Sequence, residues 1–216
     1  MITRHITDQV IPENIVKELL KQYNIPVPDY MLLSAEDSIE SCNFSFPVAL
    51  KVCTKDILHK TDVGGVRLNI LDCEELKEAV TIFRSRFPGE SMVVESMVPI
   101  GMELIMGLVD DPSFGLAIMV GVGGVFTEII NDISFRLVPI SERDANDMLD
   151  ELHARVLFDC FRGVRLDRKA VIMLLLTLSK MSMESNLTIR QMDLNPVYVY
   201  EENLMVVDAK LIVGDQ

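Results

Sequence analysis

Four apolar, β-prone segments follow one another from Ser91 onward, and this run constrains the fold more than any other feature of the chain. The segments are SMVVESMV, MELIMGLV, LAIMVGV and VFTEII, and turn signals rich in proline, glycine and aspartate separate the first three. The first 90 residues instead mix helical and strand-like patterns. We therefore predict two domains, residues 1–90 and residues 91–216, in an α+β arrangement with a cleft between the two lobes.

Helical spacing of apolar residues predicts four helices. The first covers residues 12–23, and Asn24 suits its exit. The second has an apolar face that consists of Leu76, Ala79, Val80 and Phe83. The side chains suited to cap the later three helices are Asp72 with Glu75, Ser141 with Asp144, and Asp167. Between the first two helices, a short apolar run at residues 47–53 predicts a buried strand.

Composition and charge exclude several classes of protein. With 33 acidic and 20 basic residues and a net charge of −13, the chain would repel a nucleic-acid backbone or an anionic membrane surface. Its longest apolar run, near residues 170–178, is shorter than the roughly 20 residues of a membrane-spanning helix. The first residues lack the apolar stretch of a secretory signal. The four cysteines form no CxxC pair, so we expect reduced cysteines and a cytoplasmic protein.

The buried strand at residues 47–53 contains Lys51 and leads into a loop with a glycine pair. Gly64 and Gly65 would let main-chain N–H groups approach a phosphate, and Lys51 and Lys60 would neutralise part of its charge. A hairpin turn with solvated lysines is the alternative. Lys51 favours the phosphate site, because a lysine inside a buried strand needs an anionic partner.

His59 lies in the middle of the same loop. A histidine in a loop is usually only solvated or locally hydrogen-bonded. Its imidazole can nevertheless attack a phosphoryl group and pass it onward from a phosphoramidate.

Two further segments carry candidate nucleotide contacts. Glu95 and Glu103 bracket a short bend and could accept hydrogen bonds from an adenine amine or ribose hydroxyls, although isolated acids usually lie on the surface. The segment GVGGVFTEIINDISFR contains glycines that permit close backbone approach, Gly121, Gly123 and Gly124, and Arg136 is a candidate phosphate clamp. Taken alone, this second segment could be only a glycine-rich hairpin.

The C-terminal segment MDLNPVYVYEENLMVVDAK suggests a metal site. Asp193 and Asn195 are two positions apart, so they point to the same side of a strand, and Asp208 lies on what looks like the returning strand. Oxygen ligands from adjacent strands suit Mg²⁺. Alternatively, Asp193 and Asn195 only shape a turn before Pro196, between strands at residues 187–192 and from 197 onward.

Read together, four ordered segments resemble the ATP-grasp β subunit of ADP-forming acetyl-CoA and acyl-CoA synthetases, relatives of succinyl-CoA synthetase. They are VALKVCTKDILHKTDVGGVRL, VVESMVPIGMELIMGLVDDPSFG, GVGGVFTEIINDISFRLVP, and MDLNPV followed by VVDAK. The resemblance covers nearly the whole chain and implies an ATP-grasp fold, with the nucleotide held by two lobes. It also implies ATP or ADP and Mg²⁺ as cofactors, and a CoA-binding α subunit as partner in a heterotetramer.

The resemblance also implies roles for individual residues. Lys51 and the Gly64–Gly65 loop would contact the phosphates, and Asn195 and Asp208 would carry Mg²⁺. Adenine and ribose would be held by Glu95, the Val98 backbone and Glu103. A histidine of the α subunit would take phosphate from an acyl phosphate, and His59 would be the second relay histidine, which carries that phosphate to ADP. Asp193 would orient the phosphohistidine.

One position departs from the family pattern, and two other functions stay open. Gln191, preceded by Arg190, occupies a position where the family often has an acidic residue. The net charge beside Asp193 therefore differs from the family pattern. One alternative is an ATP-grasp carboxylate–amine ligase in which His59 takes no part. The other is a non-catalytic nucleotide-sensing subunit.

Overall fold

In the computed structural model, the described residues, 8–37, 39, 44–55, 60–124 and 132–214, combine strands and helices. The strands are β1 (Gln9–Ile11), β2 (Tyr30–Leu33), β3 (Val48–Cys53), β4 (Val66–Ile70), β5 (Ser91–Ser96), β6 (Met102–Asp111), β7 (Gly115–Val122), β8 (Ile133–Leu137), β9 (Thr188–Val199), β10 (Leu204–Val206) and β11 (Ala209–Gly214). The helices are α1 (Glu13–Gln22), α2 (Cys73–Arg86), α3 (Glu142–Glu151) and α4 (Arg168–Glu184), with a 3₁₀ turn at His153–Leu157.

The described chain forms two compact units. The first unit comprises residues 12–15 and 28–99, and the second comprises residues 8–11, 16–27 and 100–214. The sequence places a lobe boundary near residue 90, whereas the compact units change over at residues 99 and 100. The difference arises because β5 pairs with β2 and β3 and so belongs to the sheet of the first unit.

The first unit is a four-stranded antiparallel sheet in the order β2-β5-β3-β4, with α2 packed on β3 and β4. All six residues of β3 are buried, as the apolar run predicts. Asp72 caps α2 by accepting from the N–H of Glu75 at 2.9 Å. The four apolar residues predicted for the inner face of this helix are all buried, and they join a core with the β3 side chains. Local periodicity therefore predicted β3 and α2 of this unit, whereas it assigned β5 to the other lobe.

The second unit contains a larger antiparallel sheet in the order β1-β11-β9-β6-β7-β8, with β10 also paired to β9. Helix α4 packs against β6, β7 and α3, and its buried apolar residues belong to the core of this unit. The predicted caps are present, since Ser141 and Asp144 form a capping box and Asp167 accepts from the N–H of Ala170. No helix in the described ranges is long and apolar enough to span a bilayer.

Helix α1 contributes its first residues to the first unit and the remainder to the second. It ends before Asn24, which adopts a left-handed conformation with φ of 58°, as its predicted role at the exit requires. Val16 and Leu20 are fully buried in the core of the second unit. Ile15 is exposed, although it also lies at helical spacing in the sequence.

The C-terminal strands differ from the prediction. One continuous strand, β9, runs from Thr188 to Val199, so Asp193 and Asn195 lie within a strand and do not form a turn. Main-chain pairing to β6 on one side and β11 on the other keeps this segment extended. The predicted strand at residues 125–130 lies outside the described residues.

The cysteines also differ from expectation. Cys73, the first residue of α2, is disulfide-bonded, so the prediction of reduced cysteines is wrong for this residue. Cys53 and Cys160 are free. Burial raises the pKa of the Cys53 thiol, which donates to Asn14 Oδ1 at 3.2 Å. Sequence spacing cannot exclude a bridge, because folding decides which cysteines come within reach of one another.

We expect Asp72→Ala to lower the free energy of unfolding by about 1 kcal/mol, because the first turn of α2 loses its side-chain cap. Urea denaturation measures the change. Glu74→Ala is the matched control, since Glu74 lies in the same turn, is exposed and does not cap the helix. Equal losses in the two variants would contradict the capping role.

Candidate functional site

Lys51 lies in a buried cluster of charges within the first unit. Its ammonium nitrogen is 3.2 Å from Glu13 Oε1 and 3.3 Å from Glu95 Oε1. Lys51 and Glu95 are 5% and 2% exposed, so neither charge is solvated by bulk water. The anionic partner that a buried lysine needs is therefore supplied by these two carboxylates.

Glu13 is the member of the cluster that sequence reasoning missed. It is the first residue of α1 and only 3% exposed. Its Oε1 contacts Lys51, and its Oε2 accepts from the ammonium group of Lys60. An acid in the first turn of a helix is common, because it complements the helix dipole, so its residue type alone does not mark it as part of a site.

The glycine pair shapes the end of the loop that carries Lys60. Gly65 donates its N–H to the Lys60 carbonyl at 2.6 Å, and its own carbonyl accepts from Val52 of β3 at 2.8 Å. A Cβ at Gly65 would lie 2.6 Å from a Val52 methyl carbon, so any other residue would clash there. Gly64 has a φ of 64°, a backbone conformation that residues with a side chain rarely adopt. The pair thus permits a tight turn against β3, and its contact with phosphate stays a prediction.

Two other residues of this region, Val98 and His59, are predicted to contact the nucleotide or its phosphate. Val98 is half-buried in the connection from β5 to β6, where its main chain is predicted to contact adenine. His59 lies outside the described residues, and its relay role stays a prediction.

In the second unit, glycines lie against Glu103. Gly123 donates its N–H to the Glu103 carbonyl at 2.7 Å, and a Cβ at Gly123 would lie 3.0 Å from the Glu103 Cβ. A Cβ at Gly124 would lie 3.0 Å from Glu103 Oε2. The glycines therefore leave room for the Glu103 side chain. Glu103 also stands opposite Tyr198 on β9, whose pKa is raised by burial and by the Glu103 charge.

Asp193 lies between two neighbouring strands, opposite Gly107 of β6 and Lys210 of β11. Burial raises the pKa of its carboxyl above the ordinary value, while the Lys210 charge lowers it and the Asp208 charge raises it. Gln191, the departure from the family pattern, is exposed two positions earlier on β9. Its neighbour Arg190 is held by Asp110.

Asn195 and Asp208 are adjacent, as the metal prediction requires. The Asn195 N–H donates to the Asp208 carbonyl at 3.2 Å, and Asp208 immediately precedes β11. Amide and carboxylate oxygens on adjoining backbone fit Mg²⁺, which uses one or two carboxylates and completes its shell with water and phosphate. Among the described residues, no group of three or more His, Cys, Asp or Glu side chains is placed to hold a metal.

Arg136 is engaged in an ion pair. Its guanidinium forks onto Glu151, with Nη1 3.0 Å from Oε2 and Nη2 in contact with Oε1. Ser134 lies against the same carboxylate. This bidentate pair joins β8 to α3, and the role of Arg136 as a phosphate clamp stays a prediction.

Comparison with known proteins decides the family. The model of the ATP-grasp domain matches residues 4–213. The chain belongs to the ATP-grasp family. The expected ATP-grasp fold is thereby supported over nearly the whole sequence.

Two relatives from Pyrococcus furiosus cover the chain almost completely. The β subunit of ADP-forming acetate–CoA ligase I is 36% identical over 91% of this chain and 89% of its own length. The β subunit of ADP-forming acetate–CoA ligase II is 38% identical over the same shares. The predicted resemblance to β subunits of ADP-forming acyl-CoA synthetases is confirmed.

A solved structure shows the same fold. Acetyl-coenzyme A synthetase 1 of Candidatus Korarchaeum cryptofilum superimposes with a TM-score of 0.79 at 37% identity, covering 94% of this chain and 92% of that one. That structure is a complex with coenzyme A and Mg-AMPPCP, and its phosphohistidine segment points towards the nucleotide-binding site. The predicted ATP-grasp fold is confirmed.

We expect Glu151→Gln to destabilise the protein by less than about 1 kcal/mol near neutral pH, since the pair with Arg136 is partly exposed. The Arg136 guanidinium, and then Ser134, lower the pKa of the Glu151 carboxyl below its ordinary value of 4.5. A depressed folded-state pKa stabilises the fold above the unfolded pKa, and this contribution is lost as the pH falls through the folded pKa.

The difference in unfolding free energy between wild type and Glu151→Gln should therefore close as the pH falls below about 4.5. Urea denaturation at several pH values measures it. Glu202→Gln, on the exposed turn before β10, is the control and should show no such convergence. A difference that is constant with pH would contradict the ion pair.

Proposed function

We propose that this chain is the nucleotide-binding β subunit of an ADP-forming acyl-CoA synthetase. The reaction interconverts acyl-CoA, ADP and phosphate with carboxylic acid, CoA and ATP. The observation that carries the proposal is the match to two ADP-forming acetate–CoA ligase β subunits over about nine-tenths of both sequences.

The first unit supplies groups suited to the nucleotide. Lys51 and Lys60 bring two ammonium groups to one carboxylate, next to the tight Gly64–Gly65 turn. We assign phosphate binding to these four residues, because ammonium and main-chain N–H groups stabilise phosphate oxygens. Glu95, the Val98 backbone and Glu103 keep the adenine and ribose roles that the family resemblance implies.

The second unit supplies oxygen ligands. We assign Mg²⁺ to Asn195 and Asp208, whose main chains are hydrogen-bonded to each other. When bound, Mg²⁺ neutralises phosphate charge. Asp193 and Asn195 are two residues apart on β9, which places them on one face of the sheet.

The chemical step needs positioning and charge neutralisation more than acid–base groups. His59 is assigned as the nucleophile that receives a phosphoryl group and transfers it to ADP. Asp193 would orient its imidazole, because a carboxylate beside an imidazole selects the tautomer and stabilises positive charge. Arg136 is the further candidate phosphate clamp, provided that it leaves Glu151.

The proposal also implies a partner and a location. The acyl and CoA sites would belong to a CoA-binding α subunit, in a heterotetramer. The cytoplasm is the proposed location, because CoA and nucleotides are its substrates. Neither nucleic acid nor a membrane surface is an expected partner of a chain with a net charge of −13.

Incubation of the reconstituted complex with γ-labelled ATP and Mg²⁺ should place acid-labile, base-stable label on His59. Digestion and mass spectrometry locate it. His59→Ala should lose both the label and turnover while retaining nucleotide affinity, because the imidazole accepts phosphate and does not bind the nucleotide.

His153→Ala is the matched control for this experiment. The His153 side chain is 87% exposed and contacts Asp132, and we assign it no catalytic role. It should keep the label and turnover. Persistent absence of label in the wild-type complex would point to a carboxylate–amine ligase. If His59→Ala still binds the nucleotide and responds to it as wild type does, the chain would instead be a sensor.

Asp208→Asn should raise the Mg²⁺ concentration that half-saturates nucleotide binding by about tenfold, because a charged ligand becomes neutral. Titration of Mg²⁺ at fixed nucleotide measures the shift. Glu201→Gln, an exposed acid on the turn after β9, is the control. An unchanged Mg²⁺ requirement in Asp208→Asn would remove Asp208 from the metal site.

A further inference from the structure

Glu13 bridges two lysines that belong to different segments of the first unit. Its Oε1 is 3.2 Å from Lys51 Nζ, and its Oε2 contacts Lys60 Nζ. Its side chain is 1% exposed, while those of Lys51 and Lys60 are 6% and 15% exposed. Both oxygens of one buried carboxylate are therefore used, each by a different ammonium group.

This arrangement solves an electrostatic problem. Two ammonium groups that converge on one place repel each other, and the repulsion is strong where water is excluded. A carboxylate between them cancels the repulsion and gives each nitrogen a directed, charge-assisted hydrogen bond. Glu95 also contacts Lys51, with its two oxygens at 3.3 and 3.4 Å from Nζ.

The bridge also fixes geometry. Glu13 starts a helix, which holds its backbone in place, and Lys51 lies in the fully buried strand β3. Lys60 has a long flexible side chain in the loop, and its carbonyl is anchored through Gly65. Contact with Glu13 therefore determines where the Lys60 ammonium group lies relative to that of Lys51.

We propose that Glu13 is a positioning residue that holds Lys51 and Lys60 together as a two-ammonium clamp for the phosphates of the nucleotide. This inference rests on the proposed function, because it takes the two lysines as the phosphate ligands. Glu13 is not among the residues assigned above to the phosphates, the adenine or the metal. It predicts that Glu13 affects affinity for the phosphates and not for the nucleoside.

The test compares ADP with adenosine in the full chain carrying Glu13→Gln. The amide keeps one acceptor oxygen, but the NH2 group in place of the other oxygen can only donate, so it cannot accept from an ammonium group. The amide also carries no charge to offset the repulsion between the two lysines, so the clamp opens and the dissociation constant for ADP should rise about tenfold. Adenosine, followed by NMR titration, should bind as in wild type. If only net charge mattered, Glu13→Gln would bind ADP more tightly, because removal of a negative charge strengthens the attraction for an anion.

The control is Glu18→Gln, whose side chain is 60% exposed on the same helix. It should leave both affinities unchanged. Glu13→Asp keeps the charge but shortens the reach by one methylene, so it should also weaken ADP binding selectively. It carries the test if Glu13→Gln does not fold.

Two results would overturn the inference while leaving the proposed function intact. One is ADP binding that is unchanged or tighter in the Glu13 variants. The other is an equal loss of ADP and adenosine affinity, which would indicate a general structural role. Failure of the wild-type chain to bind ADP would instead remove the proposed function, and this inference with it.

Discussion

The structure of the first unit depends on the buried pairing of the Lys51 ammonium with the carboxylates of Glu13 and Glu95. A charge at the centre of a fully buried strand is tolerated only when other groups compensate it, and truncation of either carboxylate would remove part of the charge that compensates Lys51. The pairing joins α1, β3 and β5. Apolar residues of similar volume would often stabilise such a position as well or better, so stability alone does not account for the cluster. The phosphate role proposed for Lys51 would account for it.

The second unit presents its polar groups through strand register. On β9, buried residues such as Met192 and Leu194 alternate with Asp193 and Asn195, so one face enters the core while the other carries polar side chains. Pairing with β6 and β11 determines the neighbours of Asp193, namely Gly107 and Lys210. The same antiparallel pairing that closes the core therefore aligns the residues assigned to the metal and the relay.

Each described cation assigned to phosphate is held in an ion pair. Lys51 and Lys60 contact Glu13, and Arg136 contacts Glu151. A phosphate that binds one of these cationic side chains either shares it with its carboxylate partner or displaces that carboxylate. The affinity for phosphate therefore depends on the carboxylates as well as on the cationic side chains. Phosphoryl transfer relies on the placement of charge, and such pairs keep flexible cationic side chains in place before a ligand arrives.

Local signals in the sequence determined much of the fold: the caps of α2, α3 and α4, the buried strand β3, and the ordered motifs that indicate the ATP-grasp family. These signals act over a few residues, through backbone hydrogen bonds and apolar periodicity. Only the tertiary structure decided the change of unit near residue 99, the continuity of β9 and the engagement of Arg136 by Glu151. It also placed Glu13, which lies 38 positions before Lys51 and 47 before Lys60. Contacts at such separations form only when the chain packs, because no local pattern encodes which buried charges will meet.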